Sequence, residues 1–291
     1  MPNIENQNLK VTINTKGAEL QSIYHKGHQL EYLWGGDPNV WGKHSPLLFP
    51  IVGTLRQNTW NYKGKAYTLP RHGFAREMEF ETEHQTKDSI TLLLKSNDAT
   101  RAKFPFDFEL RVTYQLAPNG LATTYSVKNN SSEEMFFSIG GHPAFRVPLA
   151  ERTSYTDYYL EFEQKETASR WPISKDGLLE TTPQPILDNT NILPLTRDLF
   201  TTDALVFKNL TSTSISLKSR RTRHGLDFDF TDFPYLGIWA AKNDKADFVC
   251  IEPWCGIADS VDSDQEMTDK EGIEKLAPGE TFERIWAVTL H

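Results

Sequence analysis

Residues 106–116 read FDFELRVTYQL, and apolar and polar side chains alternate along the whole stretch. The apolar set is Phe, Leu, Val and Tyr, and the polar set is Asp, Glu, Arg, Thr and Gln. Alternation with a period of two is typical of an antiparallel strand that has one face in the core and one in solvent. The stretch therefore predicts a half-buried β-strand.

The same alternation recurs in the segments 9–13, 90–94, 158–162 and 226–230. Glycine-containing turn signals separate the alternating segments, as at Lys63-Gly64. Many short strands joined by regular turns predict an all-β sandwich or barrel. The sequence therefore indicates a large antiparallel β fold with few short helices.

Three segments depart from this pattern. Residues 98–103 predict one short helical turn, with Asp98 as its N-cap. Residues 165–200 have weak periodicity and several prolines, which predicts an ordered excursion at one edge. Residues 257–275 are acidic and irregular, which predicts a long loop.

The chain of 291 residues shows no internal repeat, no low-complexity tract and no change of charge that would mark a boundary. Large β-sandwiches often form a single unit of this size. We therefore expect one domain, residues 1–291.

Composition excludes several classes of protein. The formal net charge is −8, whereas a duplex-binding protein needs a basic face, so we expect no nucleic-acid partner. No apolar run approaches the roughly 18 residues of a membrane helix, and the first residues lack a signal-peptide pattern. Cys250 and Cys255 form neither a CxxC motif nor a disulfide framework, which favours reduced thiols and a cytoplasmic location.

Four strings combine a polar residue with glycine, proline and aromatic residues at the end of an apolar run. They are FPIVGTLR (49–56), LPRHGFAR (69–76), FFSIGGHPAF (136–145) and VCIEPWCG (249–256). This composition suits a rigid, partly dry pocket on one face of a sheet.

His142 is predicted to lie at the end of a strand, where Gly140, Gly141 and Pro143 turn the backbone. Such a histidine is well placed to act in a cleft. The alternative is a histidine that only caps the turn.

Glu252 follows the apolar residues 248–251, which predict a buried strand. A carboxylate beside a buried strand is costly unless it is paired or used, so Glu252 is a candidate general base. The alternative is an exposed glutamate that begins a loop. Trp254 either stacks on a sugar ring or fills the core, and the residues alone leave both possibilities open.

Other kinds of site have less support. His72 and His142 with a carboxylate would suit zinc, but no HExxH spacing is present, so we predict neither a metal nor another cofactor. A GxSxG motif for a serine nucleophile is absent. The acidic run 262–266 resembles an EF-hand start but has Met267 where glycine is required, which indicates a solvated loop.

The four strings, in this order, resemble the aldose 1-epimerase (galactose mutarotase) family. The resemblance extends from GAEL (17–20) to LAPGE (276–280) and so covers nearly the whole chain. It implies a large antiparallel β-supersandwich of the galactose mutarotase-like type, with a sugar cleft on a concave face. It also implies a cofactor-independent isomerase that interconverts the α and β anomers of a hexose. We expect a monomer or homodimer.

The resemblance further implies roles for single residues. Glu252 matches the base at the anomeric O1 hydroxyl, and His142 matches the acid at the ring oxygen. His72, Arg56 and Asp203 match residues that contact the sugar. The alternatives are a turn-capping aspartate for Asp203 and a surface ion pair for Arg56.

Two departures put the sugar specificity in doubt. Gly141 stands where galactose mutarotases usually have asparagine, and Pro-Trp follows Glu252. The HGFAR string also resembles hexose-6-phosphate 1-epimerases, so Arg76, Arg71 and Arg56 are candidates for binding a phosphate, with ordinary ion pairing as the alternative.

Two other functions stay open from the sequence. One is a non-catalytic carbohydrate-binding protein, which would use the same cleft and Trp254. The other is a glycoside hydrolase with Asp203 as the second carboxylate.

Overall fold

The computed structural model describes residues 1–291, which form almost entirely antiparallel strands. The strands of the first half are β1 Asn3–Glu5, β2 Leu9–Asn14, β3 Glu19–His25, β4 Leu30–Glu31, β5 Leu47–Leu48, β6 Thr59–Tyr62, β7 Lys65–Thr68, β8 Glu81–Gln85, β9 Ser89–Lys95, β10 Phe108–Ala117 and β11 Gly120–Asn129. Those of the second half are β12 Met135–Phe137, β13 Ile139–Gly141, β14 Ala144–Arg146, β15 Tyr158–Arg170, β16 Gln184–Pro194, β17 Leu205–Phe207, β18 Ser214–Ser219, β19 Leu226–Asp229, β20 Tyr235–Trp239, β21 Phe248–Cys255, β22 Glu274–Leu276 and β23 Thr281–Leu290.

Helices contribute little to the fold. One α-helix, α1 (Asp98–Arg101), is accompanied by short 3₁₀ turns at Arg56–Asn58, Ala75–Glu77, Tyr155–Asp157, Arg197–Phe200 and Met267–Asp269. No helix is long and apolar enough to cross a membrane.

Two large sheets dominate the molecule. The nine-stranded sheet has the order β16-β15-β18-β19-β23-β11-β10-β9-β8, and the six-stranded sheet has the order β17-β20-β21-β13-β5 with β14 also paired to β21. Strands β1 to β4 form a further sheet, and β6-β7 and β12-β22 form two-stranded pairs. The predicted antiparallel β-supersandwich with few short helices is confirmed.

The alternating stretch quoted first forms β10, at the interior of the nine-stranded sheet between β9 and β11. Residues of β10 alternate between buried and more exposed positions, as the sequence pattern predicts. The strand begins at Phe108 and not at Phe106, although Phe106 is also buried.

A hydrophobic core of 72 buried residues extends from Ile4 to Leu290. An aromatic cluster within it joins the two large sheets, because the ring of Phe49, next to β5, lies 5.1 Å from that of Phe108 on β10. The single domain of residues 1–291 stays a prediction, which this shared core favours.

The structure adds detail to the predictions for the three irregular segments. Asn97, and not Asp98, is the N-cap of α1, because its side chain accepts the backbone N–H of Thr100 in a capping box. Residues 165–200 contain most of the β15-β16 pairing, whose register shifts explain the weak periodicity. Residues 257–275 contain a 3₁₀ turn and the start of β22.

Candidate active site

The pairing of β13 with β21 brings His142 and Glu252 together. Ile139 pairs with Cys255 and Gly140 with Trp254, so continuing this antiparallel register sets His142, just after β13, opposite Glu252. The imidazole Nε2 of His142 lies 3.2 Å from Oε2 of Glu252. Glu252 is 1% exposed and lies inside β21, so the alternative of an exposed loop glutamate is wrong.

The glycines before His142 act through close packing and not through a turn. Gly140 and Gly141 belong to β13, and a Cβ added to Gly140 would lie 2.6 Å from Cδ1 of Trp254. A Cβ on Gly237 of the adjoining strand β20 would lie 2.4 Å from Cζ2 of the same indole. Gly140 and Gly237 therefore leave the space that Trp254 fills beside His142 and Glu252.

His142 and Glu252 line a cavity of about 290 Å³, near the lower end of the range for small-molecule sites. Polar groups and apolar side chains both contribute to its wall. The lining consists of Trp41, Gly53, Arg71, His72, Arg76, His142, Ile173, Gly177, Leu179, Asp203, Ala204, Val206, Trp239, Glu252, Trp254 and Ala258.

Burial controls the protonation of the His142–Glu252 pair. It raises the pKa of Glu252 well above its ordinary value, an effect opposed by the charge of Arg71. It lowers the pKa of His142 to about 3. Burial therefore favours the neutral form of both groups, in which the pair carries one titratable proton.

The pair has spare hydrogen-bonding capacity. Neither carboxylate oxygen of Glu252 has a well-directed hydrogen bond, and Nδ1 of His142 also lacks a partner. Buried polar atoms are normally satisfied, so these atoms are available to a bound molecule.

His72 is held as a neutral hydrogen-bond donor. The backbone N–H of Gly53 donates to its Nδ1 at 3.1 Å, which leaves the proton of the neutral ring on Nε2. Burial lowers the pKa of His72 well below its ordinary value. Its ring lies edge-on to that of His142, with centroids 5.8 Å apart.

Charged side chains mark another part of the cavity. Nη2 of Arg71 lies 3.4 Å from Oδ2 of Asp203, whose other oxygen accepts the N–H of Ala204 at 2.8 Å. Asp203 therefore also caps its own turn, which was the alternative interpretation of this residue. Arg76 donates from Nη2 to the carbonyl of Arg71 at 2.9 Å, and burial lowers its pKa.

Arg56 is the predicted site residue that is not brought to this cavity. Its guanidinium donates to the carbonyl of Ser263 at 2.7 Å, and its backbone N–H donates to Asp259 at 2.9 Å. It lines a separate cavity with residues of the 174–180 segment. Arg71, which was considered only for phosphate, lies in the site itself.

Two tryptophans of the site had no sequence signal. Trp41 stacks on the imidazole of His142, with ring centroids 5.1 Å apart, and Trp239 meets the same imidazole edge-on at 5.5 Å. Neither belongs to one of the four strings, and Trp41 lies in a segment without regular secondary structure. Only the tertiary fold brings them to His142.

One group of side chains has the composition of a metal site. Ligand atoms of His142, Cys250 and Glu252 all lie within 4.8 Å of one another. This set differs from the His72, His142 and carboxylate set that the sequence led us to disfavour.

Comparison with known proteins gives a consistent result. The sequence model of the aldose 1-epimerase family matches residues 3–273. The chain is 37% identical to the chromosomal protein LacX of Lactococcus lactis subsp. lactis over 295 residues, which cover 99% of this chain and 98% of that protein.

Solved structures agree with this match. The galactose mutarotase related enzyme of Lactobacillus acidophilus superposes with a TM-score of 0.95 at 40% identity, covering 100% of this chain and 97% of that one. A galactose mutarotase-like protein of Lactobacillus casei ATCC 334 superposes with a TM-score of 0.94 at 35% identity, covering all of both chains.

Proposed function

The chain belongs to the aldose 1-epimerase family, which makes it an isomerase of the epimerase or mutarotase kind acting on a sugar, and we propose that it interconverts the α and β anomers of a hexose. The observation that carries this proposal is the contact between the Glu252 carboxylate and the His142 imidazole inside a cavity walled by aromatic side chains. A cytoplasmic location and a monomeric or homodimeric state stay predictions.

In the proposed reaction, Glu252 removes the proton from the anomeric O1 hydroxyl while His142 protonates the ring oxygen. The ring bond breaks, C1 turns about its bond to C2, and the ring closes on the opposite face as the protons return. No electron pair or group leaves the sugar, so the balance of the reaction requires no cofactor. A positioned acid or base typically accelerates such a step by about 10²–10⁴-fold.

The single proton held by the pair suits this scheme. The productive arrangement places that proton on His142 and leaves Glu252 ionised, and the two atoms are close enough to exchange it. The guanidinium of Arg71 favours the ionised form of Glu252 and so supports its role as base.

The other lining residues position the sugar. His72 offers Nε2–H as a donor, and Asp203 with Arg71 offers a carboxylate and a guanidinium to ring hydroxyls. Trp254 lines the cavity in the space left by Gly140 and Gly237, where its indole contributes an apolar wall for the C–H face of a pyranose.

The test is polarimetry on freshly dissolved α-glucose and α-galactose. We expect the wild type to accelerate mutarotation and Glu252→Gln to lose at least about 100-fold in rate, because an amide cannot accept the proton. Glu274→Gln is a matched control, since Glu274 is a partly buried glutamate on β22 outside the cavity.

Two results would contradict the proposal. Full activity of Glu252→Gln would exclude Glu252 as the base. Sugar binding without any acceleration by the wild type would instead identify a non-catalytic carbohydrate-binding protein.

A second candidate is a hexose-6-phosphate 1-epimerase, and the lining arginines favour it. Arg71 and Arg76 contribute two positive charges to the lining and Asp203 contributes one negative charge, while burial favours the neutral forms of His142 and Glu252, so positive charge is in excess. With Arg56 held on the Ser263 carbonyl, the proposal depends on Arg71 and Arg76.

The two substrates are distinguished by comparing kcat/KM for glucose and glucose 6-phosphate. If the phosphate is bound, Arg76→Gln lowers kcat/KM for the phosphorylated sugar by about 10-fold or more and leaves glucose little changed, because a charge-assisted hydrogen bond contributes about 1.5–3 kcal/mol. Equal losses with both sugars would assign Arg76 to the pyranose or to structure.

A further inference from the structure

Strand β21 carries a second reactive group that the proposed reaction does not use. Side chains of a strand alternate between its faces, so Cys250, Glu252 and Trp254 point to the same side. Glu252 and Trp254 line the cavity. Cys250 is the preceding residue on the same face of the strand, and it is 0% exposed. A thiol therefore lies immediately behind the acid–base pair.

The distances among these groups suit a tetrahedral ion. Zinc bonds of about 2.0 Å to nitrogen and oxygen and about 2.3 Å to sulfur place the ligand atoms roughly 3.3–3.6 Å from one another. His142 Nε2 and Glu252 Oε2 are already 3.2 Å apart, and the whole set lies within 4.8 Å. A movement of about 1 Å or less at each side chain would complete three bonds, which is within side-chain adjustment.

The cluster also has buried atoms that need a partner. Both carboxylate oxygens of Glu252 are buried without a hydrogen bond, and one of them lies 3.2 Å from Nε2 of His142. His142 is 8% exposed and Glu252 is 1% exposed, so bulk water does not satisfy them. A cation that entered from the cavity would meet these atoms first and Cys250 behind them.

We propose that Cys250, Glu252 and His142 form a binding site for a thiophilic divalent cation such as Zn²⁺, and that the bound ion blocks the sugar site. Binding requires the deprotonated forms of the thiol and the carboxyl group, and the protons that these groups carry pass to solvent. The resulting thiolate and carboxylate balance the +2 charge of the ion. The occupied cluster thus has zero net charge, which removes the largest obstacle to placing an ion in a buried site.

The donor set also predicts which ions bind. Thiolate and imidazole favour Zn²⁺, Co²⁺ and Cd²⁺, whereas Mg²⁺ and Ca²⁺ prefer oxygen ligands. Three protein ligands leave a fourth position that faces the cavity, open to water or to a sugar hydroxyl. Binding does not depend on the proposed function, but the block of activity rests on it.

The experiment titrates the metal-free full-length protein with Co²⁺ and records the absorption of the thiolate-to-cobalt charge-transfer band, with Zn²⁺ then added as the competitor. We expect the band in the wild type and its loss in Cys250→Ala, with affinity reduced by at least about 100-fold, more than the 10–100-fold typical for loss of an outer partner of a metal ligand. Cys255→Ala is the matched control, because Cys255 is the other buried thiol of β21 and is outside the cluster. Circular dichroism and the thermal midpoint verify that each variant is folded.

Polarimetry with and without Zn²⁺ supplies the second measurement. We expect Zn²⁺ to inhibit the wild type and Cys255→Ala competitively with sugar, and Mg²⁺ to have no effect. No cobalt band in the wild type, or an equal band in folded Cys250→Ala, would contradict the proposed metal site. Metal binding without inhibition would contradict the proposal that the ion blocks the sugar site. A wild type that binds the metal but accelerates no sugar would leave the site standing and contradict the mutarotase proposal instead.

Discussion

Single side chains in this protein derive their chemistry from where they are buried. Glu252 and His142 are ordinary residue types, yet burial changes their pKa values in opposite directions, so that the pair shares one proton. His72 has the same chemistry as His142 but is fixed as a donor by the N–H of Gly53. The surroundings, and not the residue type, therefore distinguish His142 from His72.

The shared proton leads to a prediction about pH. On the acid side of the pH profile of kcat/KM the pair holds two protons, so Glu252 cannot accept a proton. On the alkaline side the pair holds none, so His142 cannot donate one. Because burial lowers the pKa of His142 to about 3, the acid limb of kcat/KM should lie well below the ordinary imidazole value of 6.5. The rate should therefore stay level through neutral pH.

The measurement is kcat/KM by polarimetry across the pH range, after subtraction of the spontaneous reaction at each pH. An acid limb centred near 6.5 would mean that His142 titrates as an exposed imidazole, which would contradict the burial argument.

At this scale the sequence singled out the candidate acid–base residues but not their surroundings. Glu252, His142 and His72 were recognisable because each lies in a short string shared with a family. Trp41 and Trp239 were not, because stacking on His142 depends on contacts between distant segments. Arg56 was predicted to contact the sugar and Arg71 was considered only for phosphate, and only the fold shows that Arg71 is the one that faces the cavity.

At the scale of elements, the wall of the cavity is held by a buried ion pair in the loop after β21. Oδ1 of Asp259 lies 2.7 Å from Nζ of Lys270, and its other oxygen accepts the backbone N–H of Arg56. The backbone of Asp259 is also bonded to Thr54 and Leu179. This one residue therefore connects three segments that carry lining residues.

We predict that Asp259→Asn lowers the free energy of unfolding by about 3–5 kcal/mol near neutral pH, because the Lys270 side chain, 4% exposed, is left without a counter-charge. Burial already lowers the pKa of Lys270, so its amine in the variant is neutral over a wider pH range. Since the unfolded chain then binds more protons than the folded one, the deficit should shrink as pH rises toward the ordinary lysine value of 10.5.

Chemical denaturation of the wild type and the variant at two pH values measures this effect. Asp262→Asn is the control, because Asp262 lies in the same loop and is bonded only to the exposed Ser260 hydroxyl. A deficit that is equal for both variants, or that grows with pH, would contradict the role of the ion pair.

Local pattern predicted elements well where their register is regular. β10 pairs with β11 without interruption, and the residues of β10 alternate strictly in the sequence. The β15-β16 pair contains register shifts, which interrupt the alternation, so the sequence indicated only an ordered excursion. Gly140 and Gly141 were interpreted as turn residues because the side chains packed against them, Trp254 for Gly140 and Tyr125 for Gly141, are distant in the chain.

At the scale of the whole molecule, the fold class was predictable and the strand order was not. Alternation of apolar and polar residues shows only that one face of a strand is buried. The same alternation is compatible with any order of antiparallel strands. The observed order places β23 between β19 and β11, and β21 between β20 and β13. These neighbours are chosen by long-range packing around the shared core, which no local pattern encodes.

The register of β13 on β21 has a consequence for how the protein becomes active. The acid–base candidates His142 and Glu252 come close only when β13 pairs with β21, which is more than 100 residues away in the chain. Such non-local pairing is slow to form. A chain emerging from denaturant would bury its aromatic residues before it could turn over any sugar. Recovery of activity during refolding should therefore report when the β13–β21 ladder has formed in register, and a slip of one residue in this ladder would leave a compact but inactive molecule.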